Sequence, residues 1–422
     1  MNNQQRKSYP LLARTLGLLI LVVICNTAAA INSPVQTANT APSLKNIECS
    51  FNWAQTFYPN LFSPPVSGVQ FFSPYTYRYY PSTNAYLGVS SADDHVYYLG
   101  PEGAWQDLGD LSAWLTMSGC GAKPYPVIFI HGLASSAVTW TPFRNYLINN
   151  GYWTFGGIPA YNQTTKTVDI SCPSDSSVAC TGSAGDFYTL NFSDNQDLPF
   201  DVLAGELAAI IKAVLDANPG KTKVLLISHS IGGLAAREYL EGLARELNSV
   251  TTTPYRENVA KLITVGAPHQ GSFWAEACHN QIDILDISVD VGICELLPLH
   301  IDSNSIAVED LMPTSSALNV LNDLTAHPLP SDISYVSIIG TGQPTLVNLV
   351  DFKNGDGIVS DISQDLRMIT GNLTQQKSVR INIPFRACGN KITVPSIGNI
   401  GETHTCETTD IGVWAEILRD LQ

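Results

Sequence analysis

Positive charge is scarce in this 422-residue sequence. Its 22 lysines and arginines stand against 37 acidic residues, for a formal net charge of −15. So acidic a surface repels phosphate backbones and anionic headgroups, which excludes nucleic acid as a partner. Charged residues make up only 14% and apolar ones 45%, a balance that excludes a disordered polymer. No two of the nine cysteines show the C-x₂-C spacing of a zinc site, and the eight histidines are scattered. No metal site and no cofactor is expected. Long apolar runs are also rare. The clearest, Leu16–Ile24, follows Arg6, Lys7 and Arg14 and precedes Ala28-Ala29-Ala30. A basic start, a short apolar middle and a small-residue end make residues 1–30 a signal peptide, too short for a comfortable membrane span. Cys25 raises a lipid-anchor alternative, against which the bulky Ile24 argues.

Removing Cys25 with the leader leaves eight cysteines, an even number in an exported chain, which favours disulfides. Proximity suggests Cys49–Cys120, Cys172–Cys180, Cys278–Cys294 and Cys388–Cys406. These are one choice among on the order of a hundred connectivities. Residues 31–45 are polar and aperiodic, and read as a linker. Residues 46–121 form a small module. Tyr75–Tyr80, Ala85–Val89 and His95–Leu99 alternate between turns, which predicts a three-stranded β-meander closed by a disulfide. Its surplus aromatics form either a packed mini-core or a face for a polymer, carbohydrate or surface.

Residues 122–422 have another texture. Val127-Ile128-Phe129-Ile130 and Val224-Leu225-Leu226-Ile227 are continuous apolar runs, as strands buried on both faces require. Helical patterns lie between them over 137–149 and 200–217, the latter with Leu203, Leu207, Ile210, Ile211 and Val214 on one stripe. Alternating strands and helices predict a mostly parallel α/β sheet. Thr165–Ser193 reads as a polar loop region. Residues 273–325 break the rhythm and read as a cap or lid insertion. Further strands follow at 333–340 and 378–383, then a closing helix at 411–421.

The apolar run 224–227 enters Ser228-His229-Ser230-Ile231-Gly232-Gly233, and a helix follows. A serine at the tip of a tight strand-to-helix turn is a nucleophile elbow. The usual G-x-S-x-G pattern is altered, with Ser228 in the first glycine position. A serine hydroxyl needs a base. In the order serine, acid, histidine, only His404 lies far enough downstream, on a loop before the last helix. Asp356, between Gly355 and Gly357, is the chosen acid; Asp351 and Asp361 are rivals, and an Asx-turn is the structural alternative. An oxyanion hole needs two backbone amides, expected from Ile231 and from Leu133 in His131-Gly132-Leu133. Gly132 and Gly232 allow close backbone approach.

Together His131-Gly132-Leu133, the Ser228–Gly233 stretch, Gly266-Ala267-Pro268-His269-Gln270-Gly271-Ser272, Asp356-Gly357-Ile358-Val359-Ser360 and His404 resemble bacterial secreted lipases and esterases of the α/β-hydrolase superfamily. The resemblance spans about residues 124–422. It implies an α/β-hydrolase fold with a cap, and hydrolysis of carboxylic esters, often acylglycerols, through an acyl-enzyme on Ser230. A lipid ester substrate and transient contact with a lipid interface are implied partners. Alternatives with the same triad are an extracellular polyester depolymerase or an acyltransferase. A third is a hydrolase fold turned into a binding protein. The module, with Phe51-Asn52-Trp53-Ala54, is similar to one found in exported Gram-negative proteins.

Overall fold

Leu44, Ile47, Phe51 and Ala54 recur at helical spacing, and Ser43 caps the run by accepting from the Asn46 amide. Helix α1 (Leu44–Phe57) results. The computed structural model describes residues 43–62, 65, 68–279, 282–284, 287–289, 301–348, 351–370, 373, 375–383 and 400–421. The expected leader, Cys25, Cys294, Cys388 and most of the expected linker lie outside these residues. Contacts divide the chain into two units between Ala122 and Lys123.

In the first unit α1 begins inside the span expected to be linker and carries the Phe51–Ala54 stretch. The expected meander has five strands instead of three: β1 (Gln70–Phe72), β2 (Tyr75–Tyr80), β3 (Ala85–Ser90), β4 (His95–Leu99) and β5 (Trp105–Asp110), antiparallel in that order. Helix α2 (Leu111–Met117) follows, capped by Asp110. Strand alternation sorts the side chains. Tyr80, Leu87, Val89, Val96 and Tyr98 are buried on one face. Trp53 of α1 meets Trp114 of α2 edge-on at 5.5 Å. Tyr75, Tyr97 and Trp105 stand on the other face, only partly covered, with Tyr75 stacked on Trp105 at 5.2 Å. Cys49–Cys120 ties α1 to the segment after α2.

The second unit is built on an eight-stranded sheet. Its strands are β6 (Val127–Ile130), β7 (Phe155–Asn162), β8 (Thr167–Ser171), β9 (Phe187–Thr189), β10 (Val224–His229), β11 (Val259–Val265), β14 (Ser334–Thr341) and β17 (Gln376–Asn382). Their order is β17-β14-β11-β10-β6-β9-β7-β8. Every neighbouring pair is parallel except β7 with β8. Two of these strands, β8 and β9, occupy the stretch expected to be loop. Only three residues long, β9 is too short to show periodicity, yet it inserts between β6 and β7. The Cys172–Cys180 disulfide closes the same stretch.

A 3₁₀ turn (Ala137–Trp140) leads into α3 (Thr141–Asn149), and α4 (Phe200–Ala217) precedes β10. The predicted stripe of α4 is buried, and it packs on α5 (Gly232–Leu240). The irregular insertion contains α6 (Phe273–His279), a hairpin of β12 (Ile282–Ile284) and β13 (Ile287–Val289), α7 (Ile306–Asp310) and α8 (Ser316–Leu321). Buried Arg237 of α5 anchors its far end, donating to Asn322 Oδ1 at 2.9 Å and Leu321 O at 2.8 Å. A hairpin of β15 (Gln343–Leu346) and β16 (Phe352–Gly355), short helices α9 (Asp361–Gln364) and α10 (Arg367–Thr370), α11 (Ile400–Cys406), a 3₁₀ turn (Glu407–Thr409) and α12 (Ile411–Asp420) complete the unit. Cys278 and Cys406 are disulfide-bonded. Among the described residues no helix is long and apolar enough to cross a membrane.

Candidate active site

The buried run of β10 ends in Ser230, whose φ of +55° lies in the left-handed region. For a non-glycine residue that conformation costs about 1–2 kcal/mol. Both ends of the turn hold it. The Ser230 amide donates to Val265 O at 3.0 Å, and Ser230 O accepts from the Gly233 amide at 3.0 Å. Gly232 is sterically required, since a Cβ there would meet His131 O at 2.6 Å and Ile130 Cγ2 at 2.7 Å. Ser228, the departure from the usual pattern, is fully buried, and its hydroxyl donates to Ile263 O at 3.4 Å. The second glycine, Gly233, borders it: a Cβ there would lie 2.6 Å from Ala267 Cβ and 3.3 Å from Ser228 Oγ.

His404 stands beside this turn. Its Nε2 is 3.0 Å from Ser230 Oγ, and its Nδ1 is 2.8 Å from Asp356 Oδ2. The expected loop around His404 is α11 instead. From Glu402 to Thr409 the chain has neither proline nor glycine, so nothing interrupts helical turns. Trp414 Nε1 pins the following turn by donating to Thr408 O at 2.8 Å.

Asp356 is wholly buried in the tight turn after β16. Its Oδ1 accepts from the Ile358 and Val359 amides at 2.8 and 2.7 Å, and its Oδ2 accepts from Gln364 Nε2 at 3.0 Å. The Asx-turn and the histidine-facing carboxylate, posed as alternatives from sequence, are one arrangement. The rivals lie elsewhere. Asp351 accepts from Asn348 Nδ2 in the β15–β16 hairpin, and Asp361 faces Arg380 at 3.7 Å.

The loop after β6 closes on the serine. A Cβ at Gly132 would lie 2.8 Å from Ser230 Cβ. Neither the Leu133 nor the Ile231 amide donates a hydrogen bond among the described residues. The loop is braced from behind. His131 Nδ1 donates to Gly132 O at 3.0 Å, its Nε2 accepts from the Phe192 amide at 3.4 Å, and Asn195 Nδ2 also donates to Gly132 O. Burial lowers the pKa of His131 to about 4, so the ring is neutral, as that accepting nitrogen requires.

Two further buried groups were not anticipated. His229 donates from Nε2 to His404 O at 3.0 Å, and burial keeps its pKa well below the ordinary histidine value. Glu407 is fully buried, with Oε2 3.5 Å from His404 Nδ1 and 3.4 Å from His229 Nε2. Burial, then the neighbouring Asp356, raises its pKa well above the usual carboxylate range. Its three-residue spacing from His404 was the available sequence signal. His229, His404 and Glu407 have metal-ligand spacing, but the ring nitrogens facing the cluster already serve Asp356 and His404 O. Glu407 stands beside these hydrogen bonds without joining them.

A pocket of about 270 Å³ opens over Ser230. Leu133, Val138, Trp274, Ile301, Leu311 and Val359 are among its walls. Trp274, Ile301 and Leu311 come from the insertion, which thus lines the pocket.

Residues 122–286 match the PGAP1-like alpha/beta domain family. Over 156 residues the chain is 33% identical to a triacylglycerol lipase of Pseudarthrobacter phenanthrenivorans, covering 37% of this chain and 36% of that one. It is equally identical, over the same length, to a triacylglycerol lipase of Burkholderia plantarii, covering 32% of that protein. The alignments thus span about a third of the length of these relatives. Among solved structures, lipase 1 from Pelosinus fermentans aligns with 71% of this chain and 98% of its own, at 13% identity and a TM-score of 0.41. Bacillus licheniformis lipase BlEst2 aligns with 60% and 84%, at 18% identity and a TM-score of 0.35. The parallel sheet and the strand–serine–helix turn give the second unit an α/β-hydrolase fold, part of which is similar to the PGAP1-like alpha/beta domain and to the two triacylglycerol lipases.

Proposed function

We propose that this protein is an exported serine hydrolase that cleaves carboxylic esters of apolar acids, a lipase or esterase working through an acyl-enzyme. The observation that carries the reading is the relay from Ser230 Oγ through His404 to Asp356, beneath an apolar pocket. His404 Nε2 takes the Ser230 proton as Oγ bonds to the ester carbonyl carbon. The Leu133 and Ile231 amides receive the resulting oxyanion, each contributing roughly 3 kcal/mol of transition-state stabilisation. His404 then protonates the departing alcohol. Water, activated by the same ring, attacks the acyl-enzyme and releases the acid. Asp356 keeps the proton on Nδ1, which leaves Nε2 free to act as base.

The largely apolar walls of the pocket favour an acyl chain over a charged group. Export is supported by the leader-like residues 1–30 and by the disulfides, which persist in oxidising compartments. A fluorophosphonate should modify Ser230, as mapped by peptide mass spectrometry, and Ser230→Ala should remove the label. Modification at another residue with Ser230 untouched would overturn the assignment. Turnover of p-nitrophenyl esters of increasing chain length would then separate lipase from short-chain esterase.

A further inference from the structure

Two carboxyl groups converge on one nitrogen: Asp356 Oδ2 lies 2.8 Å from His404 Nδ1 and Glu407 Oε2 lies 3.5 Å from it. Both residues are wholly buried. Their surroundings differ. Asp356 accepts from two amides, from Gln364 and from His404, which is the environment of an ionised carboxylate. Neither Glu407 oxygen accepts a hydrogen bond of normal geometry. The groups facing it are His229 from the end of β10, His404 from α11, Asp356 from the turn after β16, and Asp410 ahead of α12. None is a permanent cation. Two glycines also border it, and a Cβ at Gly266 or Gly340 would fall 1.9 Å from a Glu407 oxygen. The fold has cleared space for this carboxyl group without supplying a charge to balance it.

We infer that Glu407 is a positioning residue held as a neutral acid, which donates its carboxyl proton to the Asp356 carboxylate and so fixes that carboxylate on His404. Two adjacent ionised carboxylates in so dry a site would repel, and Asp356 already holds the donors. A hydrogen bond joining the two carboxyl groups would need one proton, and Glu407, whose oxygens no donor reaches, is the group without other stabilisation for a charge. The inference rests on the hydrolase reading only for its kinetic consequence, not for the proton's location.

The test uses the full chain and two variants. An infrared difference spectrum of wild type minus Glu407→Gln at pH 7 should show the carbonyl band of a protonated carboxylic acid. A carboxylate band in its place overturns the inference. With a soluble p-nitrophenyl ester, Glu407→Gln keeps a donor and should retain kcat within about three-fold. Glu407→Leu removes it and should lower kcat on the order of 10- to 100-fold, with KM little changed, as expected for losing a hydrogen bond to a charged group. Should Gln prove as damaging as Leu, an ionised Glu407 is required and the inference fails; it fails equally if Leu is as active as wild type. Turnover that persists in Ser230→Ala would overturn the hydrolase reading instead, while the infrared band still decides where the proton resides.

Discussion

The two units bury their sheets in opposite ways. In the first, antiparallel strands alternate, and Tyr80, Leu87 and Val96 face a core while Tyr75, Tyr97 and Trp105 face away. In the second, β6 and β10 are buried along their whole length, because helices cover both faces of a parallel sheet. Buried ionisable groups follow the same division. The first unit buries Arg78, whereas the second buries His131, His229, Asp356, His404 and Glu407 around one turn. A small sheet devotes its side chains to holding itself together. The larger one has enough core to keep a set of costly polar groups out of water.

That contrast is most directly broken at the serine. Ser230→Ala should lower kcat by on the order of 10⁴–10⁶ while leaving the thermal melt of either unit in place. Persistent turnover would move the chemistry elsewhere. Next in size is the disulfide of the first unit. It closes 71 residues, so replacing Cys49 and Cys120 with serine should destabilise that unit by about 4 kcal/mol. Urea melts should show the loss, and hydrolysis of a soluble ester should be unchanged. An equal loss of turnover would show that the units are not chemically independent.

Gly132→Ala should act only on the second unit. Its new methyl would press on Ser230 and displace the loop that bears the Leu133 amide. Loss of one oxyanion donor predicts a kcat lower by roughly 10²–10³, with little change in melting temperature. Wild-type kcat in this variant would remove Leu133 from the oxyanion hole.

The smallest effect concerns Glu238 of α5, which is 4% exposed. Burial, with Asp201 and Glu241 nearby, raises its pKa from 4.5 to about 8. A raised acid binds more protons folded than unfolded. Its stabilisation is therefore complete below pH 4.5 and is lost as pH rises through 8. Glu238→Gln should flatten the fall in melting temperature across that window. An unchanged slope would assign the fall to other groups, such as Asp310, whose pKa burial raises to about 7.

Much of the second unit was legible because its signals are local. Four apolar residues announce β10, a small-residue turn announces Ser230, and His404 stands out by its place in the chain. What was missed depends on neighbours far along the chain. Nothing in Phe187-Tyr188-Thr189 indicates that it inserts between β6 and β7. Glu407 looks like a surface acid until Gly266 and Gly340 are seen to leave it space. In the first unit β1 and β5 were overlooked. Phe71 and Phe72 are about 70% exposed, so β1 has no buried face to impose alternation. Helix α1 could have been found from the spacing of Leu44, Ile47, Phe51 and Ala54, which the assumption of a linker obscured.

The exchange at the elbow, with a hydroxymethyl group at 228 and an empty position at 233, extends past this chain. Here the turn holds a volume shared across the crossing of a strand and a helix, with a side chain at 228 and none at 233. A pattern that demands glycine two residues before the nucleophile would pass over this protein. One that asks whether the combined bulk of positions 228 and 233 fits the gap would retain it.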